Sequence, residues 1–406
     1  MDIYQKALKF HEDNQGKIEI KSKVEVNNEE DLSLAYSPGV AEPCRAIAED
    51  KENSFRYTAK GNMIAVVSTG TAVLGLGNIG PDAAMPVMEG KAVLFKKFAG
   101  VDAVPLCLGT TDREEVVNIV KNLEPSFAGI NLEDIAAPDC FYIEEKLKEE
   151  TEMAIFHDDQ HGTAIVVLAG LLNAAKLSDR KLSNSKIVVN GAGASATATI
   201  KLLLQAGVTE ENLVVCDSRG IINSERDDLN PAKEELAKIT NSANLDGGLA
   251  KAVNKADIFI GLSVGDVLSK DMVNIMNQNP IIFALANPNP EIAPELAKEA
   301  GASIIATGRS DYPNVINNVL AFPGVMKGAL IVRAKDINSE MKMAAARAIA
   351  GLISEPENER IVPGPFEKGV AKAVAISVAE AAMETGIARI KKTRKELEEE
   401  LDKVTY

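Results

Sequence analysis

Residues 186–217 leave the chain little choice of fold. Lys186-Ile187-Val188-Val189-Asn190 reads as a strand, rich in β-branched apolar residues. Gly191-Ala192-Gly193-Ala194-Ser195-Ala196 follows and opens an apolar helix, Thr197 to Ala206. Asn212-Leu213-Val214-Val215-Cys216 is the next strand, and it ends in Asp217, 21 residues beyond Ala196. Strand, glycine turn, helix, strand and terminal acid, in that order, specify a βαβ unit with dinucleotide-binding character. The glycines let backbone approach a pyrophosphate, which then rests on the helix N-terminus. Asp217 stands where the adenosine ribose hydroxyls would be. A glycine turn in a plain α/β sheet is the alternative, and it leaves the acid unexplained.

A second stretch sits at the seam between two halves of the chain. Phe156-His157-Asp158-Asp159-Gln160-His161-Gly162-Thr163 lies between the apolar run Met153-Ala154-Ile155 and an apolar helix, Ala164 to Leu177. A strand therefore ends in two carboxylates at the edge where open α/β sheets place ligands. The strand 127–132 also runs into an acidic pair, Glu133-Asp134. One such pair is commonly a helix cap. Two pairs at one edge of a parallel sheet repel each other unless a positive charge lies between them. That favours a metal. The chain has only three histidines, His11, His157 and His161. Carboxylates with little imidazole suit a hard, oxygen-liking cation, Mg²⁺ or Mn²⁺, rather than zinc.

The remaining chain fits around these two stretches. Residues 2–14 read as a short amphipathic helix and 17–31 as irregular. Met63–Val67 and Ala72-Val73-Leu74 read as strands, the second leading into Gly75-Leu76-Gly77-Asn78-Ile79-Gly80. No acid-terminated strand follows that glycine run, so it reads as a tight turn bringing backbone to another ligand. Lys91 lies on an otherwise apolar helix. It either snorkels to solvent or is buried and usable as a base. Tyr36 precedes the turn at Pro38-Gly39. It either packs at the loop base or returns a proton. A strand at 103–108 and a helix at 112–122 complete the first half. Further strands at 257–261, 280–285 and 303–306 extend the second sheet, and Pro288 leaves Asn287 at a strand's C-terminal edge. Residues 308–324 read as a polar loop containing Asn318, 325–385 as mostly helical, and 389–403 as a charged helix at the surface or an oligomer contact.

Length and composition bound the class. The 406 residues, 46% hydrophobic and 25% charged, suggest two globular domains. The expected fold class is α/β. A substrate and metal domain at 1–160 precedes a Rossmann-type, doubly wound dinucleotide domain at 161–385, with a charged C-terminal helix at 386–406. A net charge of −15 argues against nucleic acid or an anionic membrane as partner. No apolar run approaches the ~20 residues of a spanning helix. Cys44, Cys107, Cys140 and Cys216 form no CxxC, so reduced thiols, mostly buried, and a cytoplasmic location are expected.

Taken together the motifs resemble the malic enzyme family in its short prokaryotic form. They are Tyr-Ser-Pro-Gly at 36–39, Gly-Leu-Gly-Asn-Ile-Gly at 75–80, Glu-Gly-Lys at 89–91, Leu-Glu-Asp at 132–134, Asp-Asp at 158–159, Gly-Ala-Gly-Ala-Ser-Ala at 191–196, Ala-Asn-Pro at 286–288, Asn-Asn at 317–318 and Phe-Pro-Gly at 322–324. The resemblance implies oxidative decarboxylation of (S)-malate to pyruvate and CO₂ with reduction of NAD⁺ or NADP⁺. It implies Tyr36 as general acid, Lys91 as general base, and Asp158 as a carboxylate beside the base. Glu133, Asp134 and Asp159 correspond to the metal ligands, and Asn287 and Asn318 to residues holding malate and the nicotinamide end. A homodimer is also implied, with the weakly apolar segment before Tyr36 a candidate for crossing to a neighbour.

One position departs from the family. Larger animal-type members carry a carboxylate-gripping arginine where this chain has Ala72. Backbone amides near Ser37–Gly39 or the loop at 308–318 are the candidate substitutes. Asp217 disfavours a 2′-phosphate and Arg219 favours one, which leans the reading slightly to NAD⁺. Two other functions compete: an oxaloacetate decarboxylase on the same scaffold, and a non-catalytic module that senses a nucleotide. An acid and a base together argue against the second.

Overall fold

The computed structural model describes residues 2–73 and 75–403. Its strands form two sheets. The first comprises β1 (Met63–Ser68), β2 (Asp102–Cys107), β3 (Gly129–Leu132) and β4 (Ala154–His157), in the order β2-β1-β3-β4 and all parallel. The second comprises β5 (Ile187–Asn190), β6 (Leu213–Asp217), β7 (Gly220–Ile221), β8 (Ile258–Gly261), β9 (Ile281–Ala284) and β10 (Ile304–Thr307). Its order is β10-β9-β8-β5-β6-β7, parallel except for β7 at the edge. The strand order reverses between β5 and β8, the position where such sheets open a ligand crevice.

Parallel strands covered by helices on both faces need apolar residues throughout. β3, β4, β5, β8 and β9 are accordingly buried along their whole length. The helix Asp158–Leu177 joins the halves. It buries residues on every side, and one apolar core takes in Phe156 of the first sheet, this helix, and Val189, Ile260 and Phe283 of the second.

Four details differ from the sequence reading. The joining helix starts at Asp158, not Ala164. Its first turn is therefore acidic, which the positive end of the helix dipole favours. The strand expected at Ala72-Val73-Leu74 does not form. Val73 makes only an isolated bridge to Gly77, and Leu74 lies outside the described residues. The reason is local: Gly70, Gly75, Gly77 and Gly80 all have positive φ, so the chain turns back and Ile79 and Gly80 donate to the Gly70 carbonyl. The loop expected at 308–324 ends early, because a helix begins at Phe322 with Pro323 in its first turn. The C-terminal helix is shorter, Arg394–Leu401, and docks by burying Leu397 and Leu401. Cys140 and Cys216 are buried, Cys107 is half-buried and Cys44 is exposed; all four are free.

Candidate active site

The register of the first sheet builds the site. Leu132 of β3 pairs with His157 of β4, so Glu133-Asp134 and Asp158-Asp159 leave the sheet side by side. The Asp134 amide donates to Asp159 Oδ2 at 2.8 Å, which pins the two turns together. Asp134 has a positive φ of 53°, and its carbonyl accepts from the amides of Thr71 and Ala72. Those two amides are thereby spent, so the backbone at Ala72 offers nothing to a substrate carboxylate. The Gly39 amide is likewise spent, on the Ser33 carbonyl.

Carboxylate oxygens of Glu133, Asp134 and Asp159 all lie within 4.8 Å of one another. Burial and mutual repulsion make the charged forms costly. Burial, then the neighbouring Asp159 and Glu133, push Asp134 up to about 8. Burial raises Glu133 to about 7 despite Lys91, and burial with Asp158 raises Asp159 to about 6. One oxygen of Asp134 is buried without any hydrogen-bond partner. Three converging carboxylates, one with an orphaned oxygen, fit a divalent cation bound through oxygen.

Lys91 faces this cluster from the helix Pro81–Ala99. It is 7% exposed, so it does not snorkel. Its Nζ lies 2.5 Å from Asp158 Oδ2 and 2.9 Å from Glu133 Oε1, and 4.2 Å from the centre of the Phe322 ring. Burial alone would lower the ammonium's pKa, but Asp158 and Glu133 outweigh it and hold Lys91 above the ordinary lysine range. Asn318 Nδ2 donates to the same Asp158 oxygen that Lys91 touches. Gly162, one turn along the helix, leaves room for this arrangement: a Cβ there would stand 2.0 Å from Asp158 Oδ1. The family resemblance groups these residues, and the structure brings Lys91, Asp158, Glu133, Asp134, Asp159 and Asn318 together.

Tyr36 does not join them within this chain. It is 69% exposed, and its hydroxyl has no hydrogen-bond partner among the described residues.

The dinucleotide turn sits at the switch point of the second sheet. Gly191 has φ 134°, and a Cβ there would meet the Leu262 carbonyl oxygen at 2.3 Å, so only glycine fits. Gly193 precedes the helix Ala194–Gln205, whose first turn contains Ser195 and buried Ala196. A cleft of about 640 Å³ opens here, lined by Gly191, Ala192, Gly193, Asp217 and Lys233 among others. Asp217 is not a lone negative charge. It pairs with Arg226 at 2.9 Å and Lys233 at 2.6 Å, and these bonds overcome burial and hold it down to about 2. Arg219 turns its guanidinium to Asp228 at 2.9 Å.

Two carboxylates escaped the sequence reading. Glu291 is fully buried and accepts from the amides of Ser263 and Ala286, each at 3.0 Å, so it staples the loops after β8 and β9 and sets the course of Asn287. Glu144 is buried on the helix Asp139–Glu150, accepting from Gln160 at 3.0 Å and facing His161 at 2.7 Å and Lys148 at 3.0 Å. Each reaches at least one partner 16 or more residues away, Gln160 for Glu144 and Ser263 for Glu291, and no local pattern marks either.

Comparison with known proteins places this arrangement. Residues 160–383 match the model of the malic enzyme NAD-binding domain, and residues 15–116 and 110–148 match that of the malic enzyme N-terminal domain. The chain belongs to the malic enzyme family. A bifunctional malic/malolactic enzyme of Bacillus subtilis strain 168 is 60% identical over 408 residues, covering 100% of this chain and 99% of that protein. An NAD-dependent malic enzyme of Geobacillus stearothermophilus is 55% identical, over 92% of this chain and 78% of its own length. Among solved structures, a malic enzyme from Pyrococcus horikoshii Ot3 superposes with a TM-score of 0.97 at 49% identity, over 99% of this chain and 96% of that one. The malic enzyme fold thus accounts for a dinucleotide cleft and a carboxylate cluster on one chain.

Proposed function

We propose that this malic enzyme oxidises (S)-malate and removes CO₂ from the product to give pyruvate, using NAD⁺ or NADP⁺ and Mg²⁺ or Mn²⁺. The observation that carries the proposal is Lys91, buried between Asp158 and Glu133 beside three converging carboxylates. Glu133, Asp134 and Asp159 would hold the cation, and the Gly191–Ala196 turn the pyrophosphate. When bound, the cation supplies positive charge toward the substrate's C2 oxygen and the nicotinamide supplies the hydride acceptor.

The chain's own residues do the rest. Lys91, in its neutral amine form, takes the proton of the C2 hydroxyl. With the charge of Glu133 engaged elsewhere, the pull on the lysine proton falls, and Asp158 remains to orient the amine. Asn318 fixes Asp158 from the other side and faces the substrate. Phe322 shields the amine from water. When the C3–C4 bond breaks, its electron pair moves toward C2, and Tyr36 delivers a proton to C3.

The paired state of Asp217 bears on the cofactor. Its charge is already offset by Arg226 and Lys233, so it does not bar a 2′-phosphate, and both nucleotides are accepted in this reading. No helix among the described residues is long and apolar enough to cross a membrane, and a cytoplasmic enzyme is part of the proposal. The test is malate-dependent absorbance of reduced nicotinamide, run with Mn²⁺ and each nucleotide in turn. Reduced cofactor with pyruvate is the expected product. Lactate is measured alongside, because the Bacillus subtilis relative is named for malolactic activity as well. Oxaloacetate consumed without any reduced cofactor from malate would favour the decarboxylase; no turnover of either acid would leave only nucleotide binding.

The same reading includes a homodimer that shares Tyr36. The helices Ile3–Asn14, Glu29–Ala35 and Ala41–Glu49 bury none of their residues. Ile3, Tyr4, Leu8, Ile20 and Leu34 are exposed along this segment, more apolar surface than one chain normally leaves in water. The segment is tethered to its own chain by Lys17, whose amide donates to Glu89 at 3.1 Å, and by the Lys23–Asp102 pair at 3.6 Å. Beyond Lys23 it projects with Tyr36. A second copy covers these apolar residues and receives Tyr36 opposite its own Lys91. Mixing inactive Tyr36→Phe with inactive Lys91→Ala chains checks this. Random assortment should restore about a quarter of wild-type activity, since half the dimers then hold one intact site. Sites contained within one chain would stay dead in the mixture.

A further inference from the structure

Given a nicotinamide nucleotide in the cleft, as proposed above, we infer that Glu291 is a positioning residue for its nicotinamide half, acting through Ser263 on the strand ends at the switch point of the second sheet. Glu291 is 0% exposed. No lysine, arginine or histidine pairs with it among the described residues, and its donors are neutral. The Ser263 amide and hydroxyl both donate to Oε1, at 3.0 and 3.2 Å, and the Ala286 amide donates to Oε2 at 3.0 Å. Burying a carboxylate without a counter-ion is costly, and a well-packed apolar side chain often serves stability as well or better. What this carboxylate fixes is geometry.

Three strand ends meet in one hydrogen-bonded chain. Asn190 closes β5, Ser263 follows β8 and Ala286 follows β9. Asn190 Nδ2 donates to Ser263 Oγ at 2.7 Å, which leaves the hydroxyl hydrogen for Glu291. Asn190, Leu262, Ser263, Val264 and Val267 line the dinucleotide cleft. The two loops are pressed together. A Cβ on Gly261 would stand 2.2 Å from Glu291 Cδ, and one on Gly265 would stand 2.7 Å from the Asn289 carbonyl oxygen. The amides of Asp266 and Leu268 donate to the carbonyls of Pro290 and Glu291, at 3.0 and 2.9 Å. The loops after β8 and β9 therefore move as one body, with Glu291 as its buried pin. The adenosine half lies across the crevice toward β6, which ends in Asp217. The nicotinamide half then lies over the loops that Glu291 joins, beside Asn287. Misplacing reacting atoms by about 1 Å costs on the order of 10²-fold in rate.

Glu291→Gln in the full-length enzyme with Mn²⁺ tests the role. Glutamine has one acceptor oxygen for the two amides, so one loop comes free. The kcat for malate should fall about 10- to 100-fold. The primary isotope effect with malate deuterated at C2 should rise as hydride transfer becomes more limiting. Affinity for ADP-ribose, which lacks only the nicotinamide, should stay close to wild type. Ser263→Ala, at an exposed position, keeps both amide bonds and removes the link to Asn190. It should give the same pattern with about a fivefold loss, the effect of one neutral hydrogen bond. Should Glu291→Gln fail to fold, Ser263→Ala carries the same readings. The nicotinamide fluorescence of bound NADH needs no turnover, and its anisotropy should fall in both variants. A wild-type enzyme that oxidises no malate removes the proposed reaction, and the anisotropy still decides the role of Glu291. Unchanged anisotropy overturns the proposal. So does loss of ADP-ribose and NADH binding in equal proportion, because the residue then only holds the cleft together.

Discussion

Lys91→Ala should slow malate oxidation by about 10³- to 10⁴-fold, the upper range for losing a positioned base. NAD(P)⁺ affinity should stay within a few-fold of wild type. The two effects separate because Lys91 contacts Asp158, Glu133 and Phe322, and none of these lines the dinucleotide cleft. Part of the loss is electrostatic, since removing the ammonium leaves Asp158 and Glu133 buried without it. Lys91→Arg separates the parts: a guanidinium keeps the charge yet does not give up its proton. The arginine variant should fold and hold metal like wild type while remaining inactive. Steady-state rates and titration of reduced cofactor fluorescence provide both readings. Malate oxidation retained in Lys91→Ala would remove this residue from the chemistry.

Asp159→Ala should raise the Mn²⁺ concentration for half-maximal activity by about 100-fold or more, since even an outer partner of a metal ligand is worth 10- to 100-fold. Asp159 contributes one of three clustered carboxylates and accepts the Asp134 amide. A second readout does not depend on turnover. Metal-free, the variant should melt no lower than metal-free wild type, because one of three repelling carboxylates is gone. Mn²⁺ should then raise the melting temperature of wild type well above that of the variant. An unchanged metal titration with equal Mn²⁺ stabilisation would reject Asp159 as a ligand.

How far the sequence was legible depended on the range of each interaction. The Gly191–Asp217 unit was readable because strand, turn and helix are local, and the acidic pairs were readable because buried strands end abruptly. Ala72-Val73-Leu74 misled because an apolar triplet looks the same in a strand as among glycines at positive φ. Arg226 and Lys233 lie nine and sixteen residues beyond Asp217, and only folding shows that they neutralise it. Glu144 and Glu291 were silent because partners that matter come from other elements: Gln160 and His161 for Glu144, and Ser263 for Glu291. Tyr36 shows a different limit. Its motif suggested a role in the site, but a motif does not say whether the tyrosine would serve its own chain or, in the proposed dimer, the other.

The helix that starts at Asp158 has a mechanical consequence. Glu133 and Asp134 hang from β3, whereas Asp159 heads a rod packed on the helix Ala194–Gln205 of the dinucleotide half. A cation gripped by all three, as proposed, would rivet one half of the enzyme to the other. On the proposed function, chelation would then do more than withdraw a Lewis acid: it would unfasten the jaws, and the grip on substrate and the grip on cofactor would loosen together.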